Sequence, residues 1–290
     1  MNEQVANRRP GIALRAMLTW VFLLAALTVG GALWLNVEGG SHRDLSPAVL
    51  VIAYAPTIAA LVAVSFVRGG VRALLARLLH WKAGARWYAI ALLGPLLLVL
   101  AATALFVALG RTAPTNWLVL PSLAMVPTLL GPVIAGCLGE ELGWRGFAQP
   151  QLQRRFAALV AAIVIGVIWS LWHLWPILTP VGFAELSMAD IVQTFVRLVS
   201  TAVIYAWLYN GTGGALPVVL VAHAAHNVAI NLMPTQVIGT DTVAWAVAFL
   251  YAAAAAAVVL LTSSRTLTRQ APIDDPVRPG RSESTLGAGL

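Results

Sequence analysis

Hydrophobic residues in this chain fall in long blocks separated by short polar breaks. Eight blocks have the length of a membrane span: 14–36, 47–67, 87–109, 118–139, 156–177, 189–209, 214–233 and 243–262. A spanning helix needs about 20 apolar residues to cross roughly 30 Å of hydrocarbon. Lipid offers the backbone no hydrogen-bond partners, so each block is expected to be helical. The last block has no charge between Val243 and Leu261, whereas the sixth is interrupted by Arg197. Pro56, Pro95, Pro132, Pro176 and Pro217 stand where they would kink helices or mark their ends. The pattern predicts an all-α, polytopic transmembrane bundle of about eight spans, residues 14–262, after a short N-terminal segment, 1–13.

Composition sharpens this picture. Of 290 residues, 60% are hydrophobic and only 10% charged, against about a quarter charged in soluble domains. The net charge of +7 does not point to nucleic acid, because the basic residues cluster at helix ends. With the N-terminus inside, the cytoplasmic breaks hold Arg8, Arg9, Arg15, Arg68, Arg72, Arg77, Lys82, Arg86, Arg145, Arg154, Arg155 and the tail's Arg265, Arg269, Arg278 and Arg281. The other side holds Arg43 and Arg111, and that bias predicts both termini in the cytoplasm. Arg8 and Arg9 precede an apolar run too long for a signal peptide, so an uncleaved first helix is expected. Residues 263–290, rich in Pro, Gly, Ser and charge, are expected to form a disordered cytoplasmic tail. The basic stretch 68–86 reads as a topology determinant or as an interfacial helix on anionic lipid. The one cysteine, Cys137, makes no intrachain disulfide and reads as a small packing residue.

Ionisable residues within a membrane are costly and tend to mark functional sites. Here they concentrate between residues 139 and 227. Glu140 and Glu141 close the fourth block, and Glu141 and Arg145 are four apart, on one helix face and suited to an ion pair. Glu140 points about 100° away, and desolvation disfavours the charge of whichever carboxylate lacks a partner, making Glu140 the better general base. Trp169 and His173 share a face of the fifth block. His223, Asn227 and Asn231 form a stripe on the seventh, with His226 close to that face. Taken singly, these are a charged helix end, a bonded core histidine and an Asn glue between helices. Their occurrence together in an otherwise sparsely charged bundle is the stronger signal.

In order, the motifs are Glu140-Glu141-x-x-x-Arg145, Trp169-x-x-x-His173 and His223-x-x-x-Asn227. They resemble those of the CAAX-protease and bacteriocin-processing (CPBP, or Abi) family of intramembrane proteases. Trp169 departs from the commoner Phe, and the resemblance covers about 120–235. It implies hydrolysis of a peptide bond within the membrane. Glu140 would activate a water with help from His173, and His223 and Asn227 would stabilise the oxyanion. Glu141 and Arg145 would support them, with Trp169, His226 and Asn231 as further supporting residues. The implied substrate is a prenylated C-terminal peptide, or another peptide or protein in the membrane, and the implied partners are lipid and that substrate. The implied place is a bacterial plasma membrane.

Zinc held by Glu140, His173 and His223, with water in a fourth position, is a further reading, although the chain contains no His-Glu-x-x-His. Water activated by glutamate without obligatory metal is preferred. Two rivals remain, a non-catalytic, immunity-type membrane partner and a proton-coupled transporter. The absence of a repeat of these motifs in the first 120 residues speaks against the second. The hydrolase reading carries a geometric requirement. His173 lies about 25 Å into its span while Glu140 ends the preceding one. The two meet only if the fourth helix continues past Glu141 or residues 147–157 are partly buried.

Overall fold

A computed structural model describes residues 9–41, 46–67, 70–238 and 240–269. Arg8, Arg43, Asp44, Arg68, Arg278 and Arg281 of the orientation argument lie outside the described residues, as does tail 270–290. Ten helices organise the rest: α1 (Arg9–Glu38), α2 (Pro47–Ser65), α3 (Gly70–Ala76), α4 (Ala85–Ala108), α5 (Val126–Glu141), α6 (Ala158–His173), α7 (Pro180–Glu185), α8 (Met188–Gly211), α9 (Leu216–Asn231) and α10 (Asp241–Leu261). No strand occurs among the described residues. Seven helical segments are long and apolar enough to cross a membrane, and α9 is a shorter apolar helix. This is a multi-pass membrane protein.

The helices pack in an order that differs from the chain order. α1 lies on α2, α2 on α5, and α5 on α9; α9 lies on α4, α4 on α10, α10 on α8, and α8 on α6. α9 also touches α8, so this short rod is enclosed by its neighbours. Its 16 residues cover about 24 Å, less than the hydrocarbon thickness, which is tolerable for a helix that faces protein more than lipid. Gly213 and Gly214, with φ of 68° and 86°, form the left-handed turn that drops the chain from α8 into α9.

The fourth span departs from the sequence expectation. Instead of ending near residue 139, α5 continues through a π-helical stretch, Leu142–Ala148, and a last α-turn, Gln149–Gln153. The apolar helical segment runs over Leu123–Gln153, 31 residues. Glu140, Glu141 and Arg145 therefore lie well inside a helix and not at its end. Their charges break the hydropathy pattern that sets a span's apparent end, but Glu141 pairs with Arg145 and Glu140 accepts from the Trp169 indole, which offsets the penalty that such a break normally signals.

Two glycines set α5 against α2. A Cβ on Gly139 would sit 2.7 Å from the carbonyl oxygen of Ala53, and one on Gly143 would sit 2.4 Å from the backbone carbon of Pro56. Small residues four apart allow such backbone approach between membrane helices. Gly143→Ala should thus lower stability by about 1–3 kcal/mol through overpacking, read as a lower thermal-unfolding midpoint in detergent.

The flanking segments are also attached to the bundle. In the basic loop, α3 buries Leu74, and Arg77 donates to the Tyr209 hydroxyl. At the other end, residues 263–269, the start of the expected tail, dock on the core. The amides of Ala158 and Leu159 donate to the carbonyls of Arg265 and Ser264, satisfying two donors at the start of α6. Leu267 is fully buried. Asn210 donates to the Thr266 carbonyl at 2.8 Å and accepts from Gln149 at 3.2 Å. This polar chain links the segment to the helix that carries the paired glutamates.

Candidate active site

Because α5 passes Glu141 without ending, its midsection faces α6, α8 and α9 at one level of the bundle. Glu140 is the eighteenth residue from Leu123 and lies about 20 Å from the Gln153 end, while Trp169 lies about 17 Å from the start of the antiparallel α6. The two side chains meet: Trp169 Nε1–H donates to Glu140 Oε2 at 2.7 Å. The helix does continue past Glu141, as the geometric requirement asks, and the residue that reaches Glu140 is Trp169, one turn before His173. Glu140 Oε1 has no bond to protein among the described residues.

Glu141 faces elsewhere. Arg145 Nη1 reaches both of its oxygens, at 2.9 and 3.1 Å, and His223 Nδ1 lies 2.8 Å from Oε1. Both Glu141 and Arg145 are fully buried. The guanidinium carbon also stands 4.5 Å from the centre of the Trp169 ring and 4.9 Å from that of Tyr205. Two aromatic faces thus back up the carboxylate, which explains how the Nε and Nη2 of Arg145 are buried without a hydrogen bond. The two glutamates, adjacent in sequence, divide two tasks: one neutralises a buried cation, and the other is held by a neutral indole.

Hydrogen-bond logic fixes the working faces of both imidazoles. His173 Nδ1 is 3.0 Å from the carbonyl oxygen of Trp169. A carbonyl only accepts, so Nδ1 carries the proton, and in the neutral ring Nε2 keeps its lone pair. His223 Nδ1 likewise donates to the ionised Glu141 and leaves Nε2 as its outward atom. The two rings stand edge-on to the same indole, at 5.5 and 5.6 Å from Trp169. Trp169 is therefore the hub of the site, touching Glu140, Arg145, His173 and His223.

The remaining expected residues lie further along α9. Asn227 Nδ2 points at Cys137 Sγ, 3.9 Å away, and Asn231, which is exposed, donates to the Asn227 carbonyl at 2.8 Å. His226 does not join the cluster around Trp169. Its Nδ1 is 2.6 Å from the Tyr251 hydroxyl of α10 and its Nε2 is 3.4 Å from Arg197 Nη1. Arg197, Asn227, Asn231 and His226 border one cavity of about 320 Å³, completed by Val133 and Ile230.

The candidate ligands Glu140, His173 and His223 do not present a shared metal site. Among the described residues no three His, Cys, Asp or Glu side chains are grouped to hold an ion. Sequence reasoning missed Tyr205 and Tyr251, which carried no motif. It met Arg197 only as an irregularity of the sixth span, although a charge in the middle of an apolar helix was the available signal.

The comparisons with known proteins address this same stretch. A family model described as type II CAAX prenyl endopeptidase, Rce1-like, matches residues 121–229. Residues 121–229 are Rce1-like. The matched segment holds Glu140, Glu141, Arg145, Trp169, His173, His223, His226 and Asn227, and Asn231 lies just beyond it. A curated relative, CAAX prenyl protease 2 of Methanococcus maripaludis, is 48% identical over 48 residues, which is 17% of this chain and 17% of the relative. The Rce1-like segment spans α5 to α9, the helices that build the site, and the resemblance to the CAAX-protease and bacteriocin-processing family stands on both findings.

Proposed function

We propose that this protein is an intramembrane endopeptidase that cleaves a membrane-held peptide with a water activated by Glu140. One observation carries the reading: a carboxylate and two imidazoles from three helices surround a single indole inside the Rce1-like segment. Glu140 Oε1 takes a proton from the water as its oxygen attacks the scissile carbonyl, with His173 Nε2 orienting that water. The carbonyl oxygen becomes an oxyanion that accepts from His223 Nε2–H and Asn227 Nδ2–H. With both nitrogens protonated, the His223 ring is cationic, and Glu141 offsets that charge. Glu140 then returns its proton to the amine that leaves as the C–N bond breaks. Such preorganised donors are worth most where water is scarce. Asn227 is well suited to its role, since a sulfur acceptor at 3.9 Å is easily exchanged for a charged oxygen.

The names of the family and of the relative point to a prenylated C-terminal peptide as substrate. The expected setting is a bacterial plasma membrane with both termini cytoplasmic. The test compares the peptides released by membranes carrying wild type, Glu140→Ala or His173→Ala, each checked for insertion and folding. A set of products present with wild type and absent with both variants is expected. Identical profiles from all three would leave a non-catalytic binding protein.

A further inference from the structure

Arg197 is the tenth residue of α8, about 13 Å from its start, and the proposed chemistry does not use it. A guanidinium at such a depth is expensive unless something offsets its charge. Arg145 has Glu141 for that purpose. Among the described residues the Arg197 guanidinium has no acidic partner, and its one hydrogen bond is the long contact with His226 Nε2, 3.4 Å. With Arg197 donating, Nε2 is the accepting nitrogen of His226. Its Nδ1 then carries the ring proton toward the Tyr251 oxygen at 2.6 Å, and the imidazole is neutral. The cation is not offset by protein.

Arg197 opens onto the cavity of about 320 Å³. The lining adds the side-chain amides of Asn227 and Asn231 and the ring of His226, and the rest is apolar, Val133 and Ile230. A planar cationic fork with two amides on an apolar floor suits a carboxylate attached to a hydrophobic chain. The cavity also adjoins the candidate site, since Asn227 belongs to both. On α5 the level of Val133 is about 10 Å from that of Glu140, a gap that a few residues of extended peptide cover.

We infer that this cavity binds the terminal α-carboxylate of the substrate, with Arg197 as its anchor, and so positions the chain end relative to Glu140. The inference rests on the hydrolase reading for its consequence, but its binding step is measured separately. The probes are one prenylated fluorescent peptide with a free C-terminal acid and the same peptide as its C-terminal amide. Binding to the full chain carrying Glu140→Gln is measured in phosphatidylcholine vesicles. The acid should bind about 10- to 100-fold more tightly, the range expected for a charge-assisted contact. Adding Arg197→Gln should weaken the acid to the level of the amide and leave the amide unchanged, and Arg197→Lys should restore part of the preference. In otherwise wild-type protein, Arg197→Gln should raise KM for the acid with kcat nearly unchanged. Equal binding of acid and amide, or equal weakening of both, would overturn the anchor. Repeating the measurement with phosphatidylglycerol vesicles tests the other source of an anion. Loss of the preference there would assign Arg197 to lipid phosphate and also overturn it. If neither peptide is cut by wild type while the acid preference persists, the hydrolase reading fails and the anchor stands.

Discussion

Glu140→Gln should slow peptide hydrolysis by about 10²- to 10⁴-fold, the usual worth of a positioned general base, while leaving the fold intact. The reason lies in the bond that Glu140 makes. Its structural partner is the indole N–H of Trp169 at 2.7 Å, and a glutamine carbonyl oxygen accepts that bond equally well. What the substitution removes is the basicity of the other oxygen. The thermal-unfolding midpoint in detergent should stay close to that of wild type, and the two histidines should keep their places around Trp169. Turnover of a prenylated peptide by purified protein, measured beside that midpoint, is the check. A variant that retains more than a tenth of the wild-type rate would place the base elsewhere.

Much of the fold could be read from the chain because lipid reduces the choices. Apolar blocks of spanning length have to be helical, and seven of the eight expected blocks contain helices long enough to cross. The remaining block, the seventh, holds α9, an apolar but shorter helix enclosed by α4, α5 and α8. The motif residues were legible as well, since charge in a membrane segment stands out and helical spacing separates the face of Glu141 and Arg145 from that of Glu140. Three features were not legible, each for a physical reason. By hydropathy the fourth span stops near residue 139, because that measure counts Glu140, Glu141 and Arg145 as unpaired. In the fold Glu141 is bonded to Arg145 and His223, and Glu140 to Trp169. Tyr205 and Tyr251 act by presenting a ring face or a hydroxyl to a residue far along the chain, and spacing within one helix carries no trace of that. The segment 263–269 has a tail-like composition, but its carbonyls meet donors at the start of α6 and at Asn210, which only tertiary contact reveals.

Removal of the buried cation should instead act on the fold. Arg145→Met is expected to destabilise the protein by about 3–5 kcal/mol, since it leaves Glu141 as a buried charge with only His223 to offset it. Loss of the guanidinium from between the Trp169 and Tyr205 rings adds to that cost. Glu141→Gln should also destabilise, because it strands the charge of Arg145, two of whose nitrogens already lack hydrogen bonds, although the glutamine oxygen can still accept from His223. The double variant Glu141→Gln/Arg145→Met should be clearly less damaged than the two single losses added together, since neither charge is then left alone. Equilibrium unfolding in detergent for the four proteins gives the coupling directly. Additive losses would show that the ion pair contributes little beyond packing. With the coupling present, the double variant separates the two roles of the motif. It should regain much of the fold yet stay slow in hydrolysis, because a neutral glutamine no longer offsets the charge that His223 acquires beside an oxyanion. Arg145→Lys should not replace the native residue, since an ammonium cannot reach both carboxylate oxygens while lying flat against two aromatic rings.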